Sequence, residues 1–326
     1  MAVKPWKIVA DVGGTNARFA AWDIEANCLQ MVRHYSVADY RHFADALSQY
    51  LKDVSATKQW KLFPQDACFA LACPIFGTKM RFTNSPWTVD REEIKDLLND
   101  TPVDLINDFA AVGYAITRLE SDDWLSINPG NASLDRPIVV LGPGTGLGVC
   151  TVVPGANGYQ VLSGEGGHVD FAPIDETDAK IFESLNRQFG RVSVERVLSG
   201  NGIENIYRAL AGGSKTGTDV KSAAEITTAA LQEHDFLAIE TLNVFCRNLG
   251  SVAGNLALTL GSKGGVYIAG GIVPRFIEFF LQSEFRDRFL AKGRFTEFLS
   301  DIPVRLVTKS DLGLSGAANK LNTLGK

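Results

Sequence analysis

The chain lacks several features that would each define a class of protein. No run reaches the ~18–20 consecutive apolar residues that a membrane span requires. The opening Met1–Ala10 has no long apolar stretch of the signal-peptide kind before Asp11 interrupts it. A basic excess is also missing. Lys plus Arg number 32 against 37 Asp plus Glu, a net charge of −5, which counts against a protein that tracks nucleic-acid phosphates. It leaves room for a small anion held by local dipoles. Cysteine is sparse: Cys28, Cys68, Cys73, Cys150 and Cys246 form no Cys-x-x-Cys pair, and five cannot pair fully within one chain. They sit in apolar or strand-like segments, so reduced, mostly buried thiols of a cytosolic protein are the expectation. With only four histidines and no cysteine cluster, Glu165 and His168 make a poor zinc ligand set. The expectation is a cytoplasmic protein without a membrane or nucleic-acid partner.

What remains is an ordinary globular composition, 45% hydrophobic and 21% charged. Its 326 residues exceed what one hydrophobic core usually organises, so two domains are expected. Lys7–Asp11 reads as a buried strand breaking into Val12-Gly-Gly-Thr-Asn16, with return strands at Arg18–Ile24 and Gln30–Tyr35. The spacing of Phe43, Ala46, Leu47, Tyr50 and Leu51 predicts a helix over Arg41–Val54. Strands at Ala67–Ala72, Lys79–Thr83 and Val103–Ile106, and helices at Asp90–Asn99 and from Asn107, complete an alternating α/β pattern. The motif then returns. Pro137–Leu141 is a strand, Gly142–Gly148 a turn and Val149–Val153 a return strand, with Gly14-Thr15 recurring as Gly144-Thr145, 130 residues on. Such a period is too long for a solenoid and points to two related lobes.

Helices dominate the remainder: Asp175–Phe189, Gly202–Leu210, and Ser222–Gly261 with a break near His234-Asp235. Gly265–Ala269 and Ile302–Thr308 read as strands, Pro274 as an early helix position, Leu312–Leu324 as a closing helix, and Ala211–Lys221 as an exposed loop.

Phosphate oxygens require backbone N–H donors at close range, where side chains would obstruct them, and a hydroxyl adds one more donor. Gly13-Gly14-Thr15-Asn16 and Gly144-Thr145-Gly146 both satisfy this; plain tight turns account for either loop equally well. Asp11, ending the first strand, repels phosphate unless a divalent cation such as Mg²⁺ intervenes. Two rival motifs fail on context. Gly142–Gly148 has the wrong spacing for a dinucleotide fingerprint and is followed by strand, and Gly212-Gly-Ser-Lys-Thr216 lacks P-loop order and follows a helix. Asp108 stands where a strand meets a helix. Position alone makes it an N-cap; the functional alternative is the weak base that phosphoryl transfer needs. In Ser163-Gly-Glu-Gly-Gly-His168 the glycines allow close approach, while Glu165 and His168 suit neighbouring sugar hydroxyls. Glu195 reads by itself as an exposed helical residue.

Taken together, Asp11-Val-Gly-Gly-Thr-Asn-Ala-Arg18, Ile106-Asn-Asp-Phe109, Gly144-Thr-Gly-Leu-Gly148, Gly164-Glu-Gly-Gly-His-Val-Asp-Phe171, Ser193-Val-Glu-Arg-Val-Leu-Ser-Gly200 and Ala269-Gly-Gly-Ile-Val-Pro-Arg275 resemble, in order, the bacterial ATP-dependent glucokinase family of the hexokinase, Hsp70 and actin superfamily. The resemblance implies a two-lobed actin-like ATPase (ribonuclease H-like) α/β fold with an interlobe cleft. Residues 1–118 plus 309–326 would form a small α/β domain and residues 119–308 a larger α+β domain. It implies transfer of the γ-phosphoryl group of ATP to the 6-hydroxyl of D-glucose, with Mg²⁺, in a homodimer. Asp108 then resembles the catalytic base, and Asn107, Glu165, His168 and Glu195 the residues that hold other hydroxyls. Gly13, Gly14, Thr15 and Asn16, with Gly144, Thr145 and Gly146, resemble the phosphate loops, and Gly270-Gly271 a nucleotide-side turn. The zinc-type cysteine cluster of the sister group of repressors and sugar kinases is absent after Phe171. A kinase for another hexose and a non-catalytic sugar sensor on the same scaffold are the competing readings.

Overall fold

The computed structural model describes residues 4–57, 59–82, 84–156, 158–212 and 221–323. The chain divides into two compact units, one of residues 1–119, 155–163 and 309–326 and the other of 120–154 and 164–308. Among the described residues no helix is long and apolar enough to cross a membrane.

The first unit is built on strands β1 (Trp6–Val12), β2 (Asn16–Asp23), β3 (Cys28–Ser36), β4 (Ala67–Leu71) and β7 (Val103–Asn107), in the order β3-β2-β1-β4-β7. A short hairpin, β5 (Lys79–Arg81) and β6 (Thr88–Asp90), stands apart from this sheet. The first three strands form an antiparallel meander, whereas β1, β4 and β7 run parallel. All five residues of β4 are buried, as expected of a parallel strand covered on both faces. One face packs an aromatic core around Phe19, Phe43, Tyr50 and Phe69. The other packs Val9, Ala20 and Cys68 against Leu314, Ala317, Ala318 and Leu321 of the closing helix Leu312–Thr323. A β-carbon at Gly316 would run into the Ala111 carbonyl, so this glycine lets the closing helix lie directly on helix Asp108–Ile116.

The second unit repeats that plan. The six-stranded sheet combines β8 (Trp124–Asn128), β9 (Ile138–Pro143), β10 (Leu147–Gly155), β11 (Gly158–Gly164), β12 (Gly265–Ile268) and β13 (Val304–Val307), in the order β11-β10-β9-β12-β13-β8, although residues 155–163 at its β10–β11 end are grouped with the first unit. Here too the β9–β10 hairpin is antiparallel while β9, β12 and β13 run parallel. Strand β8 is the addition, paired antiparallel to β13. Helices Glu176–Phe189, Gly200–Leu210, Ala223–Gln232 and Phe236–Leu260 supply much of the core. The predicted break at His234-Asp235 has a clear cause. His234 adopts φ +54, and the Asp235 side chain then caps the next helix by accepting from the Ala238 N–H at 3.0 Å.

Some expectations need adjustment. Gly142 and Pro143 belong to β9, so the second turn is shorter than Gly142–Gly148. Strands β6, β8 and β11 were not anticipated. Thr83, Leu324 and residues 213–220 of the expected loop lie outside the described residues.

Candidate active site

In the first unit, β1 and β2 are joined by Gly13-Gly14-Thr15, closed by a Gly13 N–H bond to the Asn16 carbonyl at 2.9 Å. Thr15 and Asn16 are exposed at the tip, and the Asn16 Nδ2 donates to the Thr15 hydroxyl at 3.2 Å. Asp11 pairs across the hairpin with Arg18. The Arg18 guanidinium donates to the carboxylates of both Asp11 and Asp311. Burial works against that guanidinium charge, but the bonds and charges of Asp11 and Asp311 outweigh it and hold Arg18 above its usual range. Asp11 is thus half-buried, charge-compensated, and set against Gly313 of the closing helix.

Asn107 ends β7, and its Oδ1 accepts from the N–H groups of Phe109 (2.9 Å) and Ala110 (3.3 Å). The N-cap is therefore Asn107, a correction to the positional reading of Asp108. A single residue serves as both last strand position and cap, which leaves Asp108 as the first residue of the helix. Its Oδ1 accepts from the Phe109 N–H at 2.8 Å. Cys73 lies near: its carbonyl accepts from Asn107 Nδ2 at 3.5 Å. Burial first, and the Asp108 charge second, push the Cys73 thiol up to about 11.

In the second unit, Gly144-Thr145-Gly146 joins β9 to β10, with the Gly144 N–H bonded to the Gly146 carbonyl at 2.8 Å. Thr145 is the exposed residue at this tip, as Thr15 is at the other. Gly270, at φ +91, follows β12, and a β-carbon there would meet the Pro143 carbonyl oxygen at 2.5 Å. The Gly270-Gly271 turn is thereby set beside the end of β9, next to the Gly144 turn.

The loop carrying Glu165 and His168 crosses the start of β10. Its Gly167 approaches Leu147 so closely that a β-carbon would strike the Leu147 carbonyl. The loop is braced by the His168 N–H donating to the Glu165 carbonyl at 2.9 Å and by Arg191 donating to the His168 carbonyl at 2.7 Å. Glu195 is in the short 3₁₀ turn Val194–Arg196 and is half-buried. Its Oε2 accepts from the Leu147 N–H at 2.8 Å, so it is not the exposed helical residue that its local sequence resembled. Glu165, His168, Glu195 and the Gly144–Gly146 turn all gather around the first residues of β10.

In each unit, then, a glycine turn lies beside charged side chains, Asp11 and Arg18 in the first and Glu195 in the second. Among the described residues no three His, Cys, Asp or Glu side chains gather in a metal-binding group. A Mg²⁺ ion that arrives with phosphates needs only one or two carboxylates, and Asp11 offers one. A 290 Å³ cavity lined by Lys7, Asp66, Pro102, Asp104 and Leu321 contains none of the candidate residues.

Comparison with known proteins decides the family. The family model described as Glucokinase matches residues 8–324. The glucokinase of Colwellia psychrerythraea is 43% identical over 320 residues, spanning 97% of this chain and 96% of that one. The chain belongs to the glucokinase family. A crystal structure of a glucokinase from an Antarctic psychrotroph superposes with a TM-score of 0.85 at 37% identity, covering 97% of this chain and 98% of that one. The glucokinase of Balamuthia mandrillaris, solved in complex with glucose, has a TM-score of 0.79 at 21% identity over 97% of this chain and 93% of its own. At that identity the likeness speaks for the fold, which is the expected actin-like ATPase type.

Sequence reasoning missed one feature of this glucokinase-family site. Arg18 stands in the first motif with no local sign of its role, and Asp311 stands in none of the motifs. Nothing in spacing could have joined them, since they are 293 residues apart.

Proposed function

We propose that this protein phosphorylates D-glucose on its 6-hydroxyl with ATP, releasing glucose 6-phosphate and ADP. The observation that carries the reading is the placement of Asp108 directly after the Asn107 cap, in a chain that belongs to the glucokinase family throughout. The sugar O6 attacks the γ-phosphorus, the bond from that phosphorus to the β,γ-bridging oxygen breaks, and the hydroxyl proton passes to the Asp108 carboxylate. The transition state is loose, so proton loss comes late and an ordinary carboxylate is a sufficient base.

Asn107, Glu165, His168 and Glu195 hold the remaining hydroxyls. Gly13, Gly14, Thr15 and Asn16, with Gly144, Thr145 and Gly146, donate to the phosphates, and Gly270-Gly271 supports the nucleotide side. Such preorganised donors stabilise charge on the transferring group without reorganisation. Asp11 would hold the Mg²⁺ that accompanies ATP; when bound, that ion offsets phosphate charge. Residues 1–118 with 309–326 act as the small domain and 119–308 as the large one, in a cytoplasmic homodimer.

The test is glucose-dependent ADP release in a coupled assay, run against a panel of hexoses. Glucose should give the highest kcat/KM; a stronger signal with fructose, mannose or N-acetylglucosamine reassigns the substrate, and no signal with any sugar leaves a sensor. Asp108→Ala should lose about 10²-fold or more in kcat, the scale of a positioned base, while glucose still binds by calorimetry. Near-normal turnover in that variant removes Asp108 from the mechanism.

A further inference from the structure

The bond from Leu147 to Glu195 connects two functions that the reading above keeps separate. Leu147 is the residue immediately after the Gly144–Gly146 turn, and its N–H donates to Glu195 Oε2 at 2.8 Å. The other end of the turn is held from the same segment, because the Gly200 N–H donates to the Gly144 carbonyl at 2.9 Å. Between these anchors the chain is stiffened by Ser199. Its hydroxyl donates to the Glu195 carbonyl at 2.8 Å and accepts from the Gly202 N–H at 3.0 Å, capping helix Gly200–Leu210. The 195–200 segment therefore grips the phosphate turn on both sides. Contact is close enough that a β-carbon on Gly146 would overlap Glu195 Oε2 and lie 3.2 Å from its Cδ.

We propose that Glu195 is a positioning residue for the nucleotide turn as well as a sugar ligand, so that sugar occupancy is felt at Gly144–Gly146. The inference rests on the sugar-holding role given to Glu195. A carboxylate has two oxygens and about four lone-pair sites. Oε2 keeps the Leu147 N–H while Oε1 accepts from a sugar hydroxyl, both as charge-assisted bonds. A sugar that fixes the carboxylate also fixes the first residue of β10 and the end of the turn. By reciprocity, a disturbance of the turn must weaken the sugar.

That reciprocity supplies the test, in which glucose binding is measured by calorimetry with no nucleotide present. In Gly146→Ala the new methyl meets the far end of a flexible side chain, so the least costly relief is for the Glu195 carboxylate to leave the turn. Glucose affinity should fall about 10-fold, the scale of a lost bond to a charged group, although the substitution is in the phosphate turn. Gly144→Ala is the comparison: its β-carbon meets nothing nearer than the Gly146 carbonyl at 4.0 Å, and glucose affinity should stay within about twofold. In Glu195→Ala, glucose should no longer enhance the binding of a non-hydrolysable ATP analogue, and the analogue alone should bind several-fold more weakly. A wild type that binds glucose beside a Gly146→Ala protein that binds it equally well overturns the coupling and spares the sugar role. If wild type does not bind glucose at all, the sugar role itself falls. Should Gly146→Ala not fold, the analogue titration decides alone, and enhancement by glucose that survives in Glu195→Ala overturns the proposal.

Discussion

The two strand–turn–strand modules, β1–β2 and β9–β10, share a topology and differ in how they place charge. In the first, the acid is in the strand: Asp11 faces Arg18 across the hairpin. In the second, the corresponding pair is Leu141 and Val149, both buried hydrophobics. The acid beside that turn, Glu195, comes from a separate 3₁₀ segment instead. The turns differ too. Four residues separate the last paired positions Val12 and Ala17, and three separate Pro143 and Leu147, so the 130-residue offset is not kept through the turn. One backbone plan has thus been given two electrostatic solutions, an internal ion pair and a borrowed carboxylate.

Making the modules alike should have the largest effect. Leu141→Asp places a carboxylate at a fully buried position opposite a valine rather than an arginine, and should cost about 4 kcal/mol or more in urea unfolding. Adding Val149→Arg should recover only part of that, because the second strand lacks the Asp311 partner. If Leu141→Asp is tolerated, burial is not what separates the two modules.

A smaller loss is expected from Arg18→Met, which leaves the Asp11 and Asp311 carboxylates without their shared cation. The pair is half-buried, so about 1–2 kcal/mol is expected by denaturant titration, and pairing it with Asp11→Asn should restore some of it. Equal stability of Arg18→Met and wild type reduces the network to surface decoration. Smallest is Asn107→Ala, about 1 kcal/mol for a lost cap. It tests a further contrast, since β7 runs straight into its helix whereas β13 reaches the next helix only after residues 308–311.

The parts of this fold readable beforehand were those with local causes. Buried strands such as β1 and β4 carry continuous apolar runs, and the break at His234-Asp235 carries a cap residue at the required place. The short strands β6 and β8 escape because their pairing is decided by tertiary neighbours: β6 is only three residues long, and the burial of β8 does not alternate at all. At the site, the glycine motifs mark the turns, yet local context misjudges two of the side chains. Position suggests Asp108 as the cap because a cap is needed there, and Asn107 meets the need one residue earlier. Glu195 looked exposed because its partner, the Leu147 N–H, is 48 residues away. Bonds that span such distances leave no mark on neighbouring letters.

The packing of Gly316 against Ala111 has a consequence for how the molecule is made. The helix that covers one face of the first sheet, and the Asp311 that completes the Arg18 pair, are both translated after every residue of the second unit. A nascent chain therefore carries Val9, Ala20 and Cys68 uncovered while some two hundred further residues emerge, and the first unit to be synthesised is the last to be finished.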